Sequence, residues 1–220
     1  MNFSVGIIGL GYVGLKEAIA ISKKDLKVIG FDINSEKVKG LNDAISPIST
    51  VSSEEINNYL DNGSEFVDSI YKLASTNIII IAVPTPLTSN HDPDLSYIKK
   101  AVELIKEIYS EQIIILESTT YPGCTREVIG EELLKKFNGV KFAFCGERED
   151  PGGKYHFSDI PRVIGANNSS TLELVSDFYK KFIKKVHTVS SIEVAEITKI
   201  YENVYRSVNI GLVNEFFRIN

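Results

Sequence analysis

Gly9-Leu10-Gly11-Tyr12-Val13-Gly14-Leu15 is the stretch whose reading decides the fold. An apolar run, Phe3 to Ile8, leads into it, and a segment rich in helix formers, Lys16 to Lys24, follows it. Asp32 stands eighteen residues beyond Gly14, at the end of a second apolar run, Val28-Ile29-Gly30-Phe31. Three glycines alone are a weak signal; a strand before them, a helix after them and an acid at this spacing make a dinucleotide-binding turn. Gly9 permits the tight strand-to-helix turn, Gly11 lets the backbone approach a pyrophosphate, and Gly14 lets the helix lie close on the strand. The helix N-terminus, at Tyr12 and Val13, supplies unpaired N–H groups and a favourable dipole for the anion. Asp32 accepts hydrogen bonds from a ribose 2′-hydroxyl and repels a 2′-phosphate, and no Arg follows it, so the expected cofactor is NAD rather than NADP. Without that context, the same residues read as a glycine-rich turn in some other α/β protein.

Composition sets the outer bounds. A chain of 220 residues accommodates one large domain, or one domain and a piece of another. With 43% hydrophobic and 24% charged residues it has the make-up of an ordinary soluble globular protein. A net charge of −5 does not point to nucleic acid, which calls for a basic face. No signal peptide is recognisable at the start, and no apolar run reaches the length of a membrane span. Cys124 and Cys145 form no metal-ligand pattern and would be reduced in a cytoplasmic setting; His91, His156 and His187 show no ligand spacing, so no metal is expected.

Along the chain, short apolar runs alternate with longer amphipathic ones. The first βαβ unit is Phe3–Leu10, Val13–Lys23 and Leu26–Asp32. Helices are expected from Asn34 or Ser35, broken by Ser46-Pro47-Ile48, and from Ser52 or Ser53, where Glu54 and Glu55 suit the positive helix end. Ile78-Ile79-Ile80-Ile81-Ala82-Val83 is the clearest strand, and its lack of alternation means burial on both faces. Pro84-Thr85-Pro86-Leu87 ends it and fixes a loop at the strand's carboxyl end, where open α/β sheets bind ligands. A helix is expected from about Asp92-Pro93-Asp94 to Tyr109, a strand over Gln112–Leu116 and a helix over Thr125–Phe137. Strands follow at Val140–Cys145, Arg162–Gly165 and Lys185–Val189, with a helix at Ser169–Phe182 between the last two. Ser191 to Asn220 reads as one long helix on which Lys199, Asn203 and Arg206 share a face. The expected architecture is an α/β, doubly wound, mainly parallel Rossmann sheet over residues 1–190, with a C-terminal helix from 191 to 220. That helix ends in an apolar stretch, Phe216-Phe217, that calls for more protein to pack on.

Several loops taken together resemble one family. Gly9–Leu15, Val83-Pro84-Thr85-Pro86-Leu87, Glu117-Ser118-Thr119-Thr120-Tyr121-Pro122-Gly123, Glu147-Arg148 with Asp150-Pro151-Gly152, and Lys199…Glu202-Asn203…Arg206…Asn209…Asn214-Glu215 are similar to the N-terminal part of the UDP-glucose/GDP-mannose 6-dehydrogenases. The loop from Glu117 to Gly123 looks most like the branch that oxidises UDP-N-acetylated sugars for surface polysaccharides. The resemblance implies a cytoplasmic homodimer that binds NAD through Gly9, Gly11, Tyr12, Val13, Gly14, Asp32, Pro84, Thr85 and Thr119. It implies a UDP-sugar substrate whose C6 is oxidised twice, from alcohol to aldehyde to acid, by way of a cysteine adduct. By the same resemblance Glu147 would act as general base, Thr119 would position the water, and Lys199 and Asn203 would stabilise oxygen anions. The long helix would link two domains and lie at the dimer interface, and the nucleophilic cysteine would belong to a segment beyond Asn220.

These residue types make chemical sense on their own. A desolvated carboxylate suits base work, and an ammonium and an amide NH₂ are donors toward a developing oxyanion. Each also has a plainer reading: Glu147 as a solvated loop carboxylate, Lys199 and Asn203 as a solvated helix face, Thr119 as a turn or capping residue, and Pro84 and Pro86 as loop stiffeners. The sequence departs from the family pattern at Lys16, where Pro is usual, at Cys145-Gly146, where Ser-Pro is usual, at Glu149, which replaces an apolar residue, and after Pro47-Ile48. Two other readings share the cofactor domain: a non-catalytic NAD-binding module and a β-hydroxyacid-type dehydrogenase.

Overall fold

The computed structural model describes residues 3–90, 92–148 and 157–219. The chain opens with β1 (Ser4–Ile8), α1 (Tyr12–Ser22) and β2 (Lys27–Phe31), and β1 and β2 pair in parallel from Ser4↔Lys27 to Ile8↔Phe31. Then come α2 (Ser35–Asn42) and α3 (Ser53–Asp61). The side chain of Asn34 accepts the Lys37 N–H at the start of α2, and Ser52 and Glu55 form a reciprocal capping box at α3. α2 stops at Asn42, ahead of Pro47. Ala44 turns into the left-handed region (φ 56°), and the N–H groups of Ala44 and Ile45 close back on the Leu41 and Gly40 carbonyls.

A short strand, β3 (Glu65–Val67), and a 3-10 segment at Ile70–Ser75 lie between α3 and β4 (Ile78–Ile81). Neither is marked in the sequence pattern, because three to six residues are too few to display a period. The rest of the chain runs α4 (Ser96–Ile108), β5 (Ile113–Leu116), α5 (Glu131–Leu134), β6 (Lys141–Cys145), β7 (Arg162–Ala166), α6 (Ser169–Tyr179), β8 (Val186–Thr188) and α7 (Ile192–Ile219).

Two helix boundaries differ from expectation. α4 begins at Ser96 rather than at Asp92–Asp94, because that stretch is held as a loop. Leu87 bridges Pro93, the Asp94 N–H goes to the Pro86 carbonyl at 2.7 Å, and the Asp94 carboxylate accepts the Ser96 N–H at 2.9 Å. The helix expected over Thr125–Phe137 is a π-helical turn, Thr125–Gly130, running into the four-residue α5. There Gly130 lies flat on the Phe142 ring, 2.4 Å from where a β-carbon would stand.

The strands form one sheet in the order β3-β2-β1-β4-β5-β6-β7-β8, parallel throughout except between β6 and β7. No crossover helix stands between those two strands among the described residues, so β7 returns antiparallel. Ile78 and Ile80 pack into one core and Ile79 and Ile81 into another, on opposite faces of the sheet. The first core takes in α1, α2, α3 and α6; the second takes in α4 and the start of α7. α4 reaches it through Ile98, Ala101, Val102, Ile105 and Ile108, spaced three and four apart. α7 buries only Ile192, Ala195, Glu196 and Lys199, and from Val204 to Ile219 every residue is exposed.

Candidate functional site

The chain winds outward from β1 through β2 to β3, then returns to place β4 on the other side of β1. The carboxyl ends of β1 and β4 are therefore the switch point, where diverging loops leave a crevice. The three glycines of the β1–α1 turn do separate things there. Gly9 has φ +99° and stands 2.8 Å, at its would-be β-carbon, from the Ala82 carbonyl oxygen. A β-carbon on Gly14 would meet the Gly9 carbonyl oxygen at 1.9 Å. A β-carbon on Gly11 would meet nothing within 4 Å; it would occupy open space over the N-terminus of α1. That open cradle, facing the first N–H groups of an eleven-residue helix, fits a pyrophosphate.

Asp32 sits 7% exposed at the end of β2. One carboxylate oxygen accepts the Leu10 N–H at 3.0 Å and the Lys37 ammonium at 2.6 Å, and the other accepts the Asn34 N–H at 3.0 Å. Asp32 thus ties the glycine turn to β2. Lys37 escapes a reading that looks only for Arg after the acid; its signal is its place in the first turn of α2, just past the Asn34 cap. Beside Asp32 lies a hollow of about 640 Å³, with apolar Ile33, Pro84, Tyr97 and Leu104 and charged Lys37, Lys100 and Glu103 in its walls.

On the other side of the turn, a cavity of about 300 Å³ is lined by Gly11–Val13, Ala82–Thr85, Glu117–Thr119, Glu147 and Lys199. Two hydroxyls stitch its rim: Thr85 donates to the Thr119 carbonyl at 2.8 Å, and Ser118 to the Val83 carbonyl at 2.7 Å. Glu147, just past β6, is 8% exposed, and Lys199, on α7, is 9% exposed. Burial pushes the Lys199 ammonium below the usual lysine range, while the Glu147 carboxylate pulls the other way.

α7 is clamped to these loops by carboxylates that the sequence reading does not single out. Glu196, wholly buried, accepts the Gly123 N–H at 2.6 Å and the Thr125 N–H and hydroxyl at 2.8 and 2.6 Å. Glu193 pairs with Arg126 at 2.7 Å and Glu202 with Arg148 at 2.9 Å. Since Glu196 precedes Lys199 by one turn, it holds the Thr119 loop and Lys199 to one another. A Glu on an amphipathic helix gives no sequence signal of this, because its partners stand over seventy residues away.

The fold therefore gathers Tyr12, Val13, Pro84, Thr85, Thr119, Glu147 and Lys199 around one cavity, with Gly11 at its mouth. Gly9 and Gly14 shape the turn behind it, and Asp32 faces the neighbouring hollow. Asn203, half-buried one turn beyond Lys199, is not among the residues lining the cavity. The Asp150-Pro151-Gly152 part of the loop motif, Glu149, His91 and His156 lie outside the described residues. Neither cysteine has nucleophilic character: both are buried, burial raises the Cys124 thiol to about 11, and it raises Cys145 further.

Comparisons with known proteins identify the family of the fold. The chain is 37% identical over 225 residues to a UDP-N-acetyl-D-glucosamine 6-dehydrogenase of Pseudomonas aeruginosa, with 97% of this chain and 52% of that protein covered. It is 39% identical over 224 residues to the protein CapL of Staphylococcus aureus, covering 98% of this chain and 52% of CapL. Among solved structures, the UDP-D-ManNAc dehydrogenase of Pyrococcus horikoshii superposes with a TM-score of 0.89 at 32% identity, over 97% of this chain and 53% of that one. The chain thus spans about half the length of the relatives it matches. Residues 3–183 match the model of the UDP-glucose/GDP-mannose dehydrogenase family's NAD-binding domain, and the chain belongs to that family as its NAD-binding part.

Proposed function

We propose that the chain is the cofactor-binding half of an NAD-dependent UDP-sugar 6-dehydrogenase, acting on a UDP-N-acetylhexosamine and making a uronic acid for surface polysaccharide. The observation that carries this reading is the cavity in which Glu147, Lys199 and Thr119 meet the β1–α1 turn. Bound NAD would supply the hydride acceptor. Gly11, with the N–H groups of Tyr12 and Val13, would hold its pyrophosphate, Asp32 its adenine ribose, and Pro84, Thr85 and Thr119 its nicotinamide side. Glu147, largely buried at the cavity, would act as general base in the hydrolysis step, accepting a proton from a water that Thr119 orients. Lys199 would donate to the oxygen that gains negative charge, helped by Asn203 once substrate reaches across from Lys199.

Residues 191–220 belong, on this reading, to a helix that joins the domain to the remainder of the enzyme and pairs with a second copy. Its exposed Val208, Val213, Phe216 and Phe217 support this. Sedimentation at high concentration should then show self-association that Phe216→Ser with Phe217→Ser abolishes; a clean monomer refutes it. Two free, buried cysteines fit a reducing compartment, and we assign the protein to the cytoplasm. The deciding experiment is calorimetry of the 220-residue chain with NADH, alongside an assay of NADH production from UDP-N-acetylglucosamine and UDP-N-acetylmannosamine. Binding without acid production is expected, since no reactive thiol is present among the described residues. Failure to bind NADH, or steady acid production by this chain, overturns the reading.

A further inference from the structure

A buried charged cluster that the proposed reaction does not use abuts the cavity, with Glu117 at their shared wall. Glu17 comes from α1, Glu117 from the end of β5, Arg162 from β7 and Tyr179 from α6, and none is more than 2% exposed. Arg162 donates through Nη2 to Glu17 Oε2 at 2.8 Å, and its Nη1 stands 4.0 Å from Glu117 Oε1. The Tyr179 hydroxyl donates to that same Glu117 oxygen at 2.6 Å. The Phe157 ring covers the guanidinium at 5.0 Å.

The inventory does not balance if both acids are ionised: two carboxylates would face one guanidinium in a site closed to water, and an unpaired buried charge is costly. Glu17 Oε1 and Glu117 Oε2 have no hydrogen-bond partner among the described residues, nor do Arg162 Nε and Nη1, so the guanidinium engages only one of the two acids directly. Both carboxyl groups flank the one guanidinium, Glu17 bonded to it and Glu117 4.0 Å from it, so each lies in the field of the other. Two carboxylates cannot bond to each other without a proton, since each is an acceptor only. Burial raises both carboxyl groups above their ordinary range, Glu17 the more strongly because Glu117 adds its charge.

We propose that Glu17 and Glu117 hold one proton between them, and that this pair is a positioning unit which lets Arg162 lie behind Glu147 without presenting it a net charge. Arg162 contributes one positive charge and the singly protonated pair one negative, so the cluster adds no net charge beside Glu147. Glu147 is within electrostatic range of Glu17, Glu117, Arg162 and Lys199. Among the described residues, the other titratable or charged groups packed around the cluster and its loop are Cys145 on β6, Tyr179 on α6, and Arg148, which is paired to Glu202. The consequence for Glu147 rests on the catalytic role proposed for it; the shared proton does not.

Infrared spectroscopy of the whole chain tests the shared proton. At about pH 8 every exposed acid is ionised, so a protonated-carboxyl carbonyl band should persist from buried acid, and Glu196→Gln, which removes the other carboxyl that burial raises, should leave it in place. Glu17→Gln and Glu117→Gln should each abolish it, because the acid that remains ionises against Arg162, whereas Glu54→Gln on the surface should leave it. Absence of the band from the unaltered protein, which needs no variant to fold, overturns the shared proton, as does its survival in folded Glu17→Gln. The link to Glu147 is read from the pH dependence of NADH affinity. Glu17→Gln keeps the cluster neutral and should leave the profile in place, while Glu17→Gln with Glu117→Gln leaves Arg162 uncompensated and should move it to lower pH. A double variant that folds, binds NADH and shows an unmoved profile overturns that link and leaves the shared proton standing.

Discussion

Gly11 and Gly14 stand three residues apart in one turn, and replacing each by alanine should produce opposite phenotypes. A β-carbon on Gly14 would lie 1.9 Å from the Gly9 carbonyl oxygen and 3.2 Å from the Ala82 β-carbon. Backbone cannot rotate out of the way as a flexible side chain can, so α1 must lift from the turn. Overpacking of this kind costs about 3 kcal/mol. For a chain of this length that lowers the melting temperature by roughly 6–12 °C. Gly11 has φ −83° and ψ −158°, a conformation alanine adopts freely, and its β-carbon would touch no protein atom. Gly11→Ala should therefore melt within about 2 °C of the unaltered chain. Its methyl group would instead stand where the pyrophosphate has to approach. Loss of one charge-assisted hydrogen bond there, about 2 kcal/mol, weakens NADH roughly 30-fold. Scanning calorimetry and isothermal titration with NADH measure the two quantities separately. A Gly11→Ala protein that melts as early as Gly14→Ala, or that binds NADH as tightly as the parent, refutes the assignment of the cradle.

Asp32→Ala should narrow the preference for NADH over NADPH from both sides: it removes the repelling carboxylate and frees Lys37, now bonded to it at 2.6 Å, to meet a 2′-phosphate. Parallel titrations with both cofactors check this, and an unchanged ratio speaks against it. Glu193 is held down to about 2 by its hydrogen bond from Arg126. A depressed carboxyl stabilises the fold above its unfolded value of 4.5, and that stabilisation fades as pH falls through about 2. The pair is 44% and 36% exposed, so Arg126→Ala should cost under about 1 kcal/mol at neutral pH and progressively less toward pH 2, by urea midpoints. A gap that widens on acidification contradicts the sign. Native chain should leave both thiols unreacted with Ellman's reagent at about pH 8 and react fully in urea, because both cysteines are buried with raised thiols. Rapid native labelling of Cys145 would reopen it as a nucleophile.

The residues legible in the sequence are those whose chemistry is local. Gly9, Gly11 and Gly14 sit in one turn, Ile78–Ile81 announces a doubly buried strand, and the prolines after it mark where a ligand crevice opens. Thr119, Glu147 and Lys199 were reachable through resemblance of their loops, and the sheet brings those loops to one cavity. Long-range partners were not legible. Glu17 and Arg162 are separated by 145 positions, and on a helix Glu17 looks like any solvated acid until the sheet places Arg162 against it. Lys37 hides for a different reason: it serves the helix cap and the Asp32 carboxylate at once. α4 starts late because a backbone bridge in the preceding loop competes for the Asp94 N–H, which no propensity reveals.

The three clamped carboxylates of α7 make that helix a lever. Its 28 residues are about 42 Å long, with about 14 Å gripped between Glu193 and Glu202 and about 25 Å overhanging from 203 to 219. Glu202 and Arg148 are the fulcrum, and a sideways load at the tip is nearly doubled at Glu193, at the end of the short arm, by the ratio of the two arms. Lys199 lies about 4.5 Å inside the fulcrum. A swing of about 2 Å at the tip therefore reaches its backbone as roughly 0.4 Å in the opposite direction, a gearing-down that shields the cavity from motion of the overhanging end.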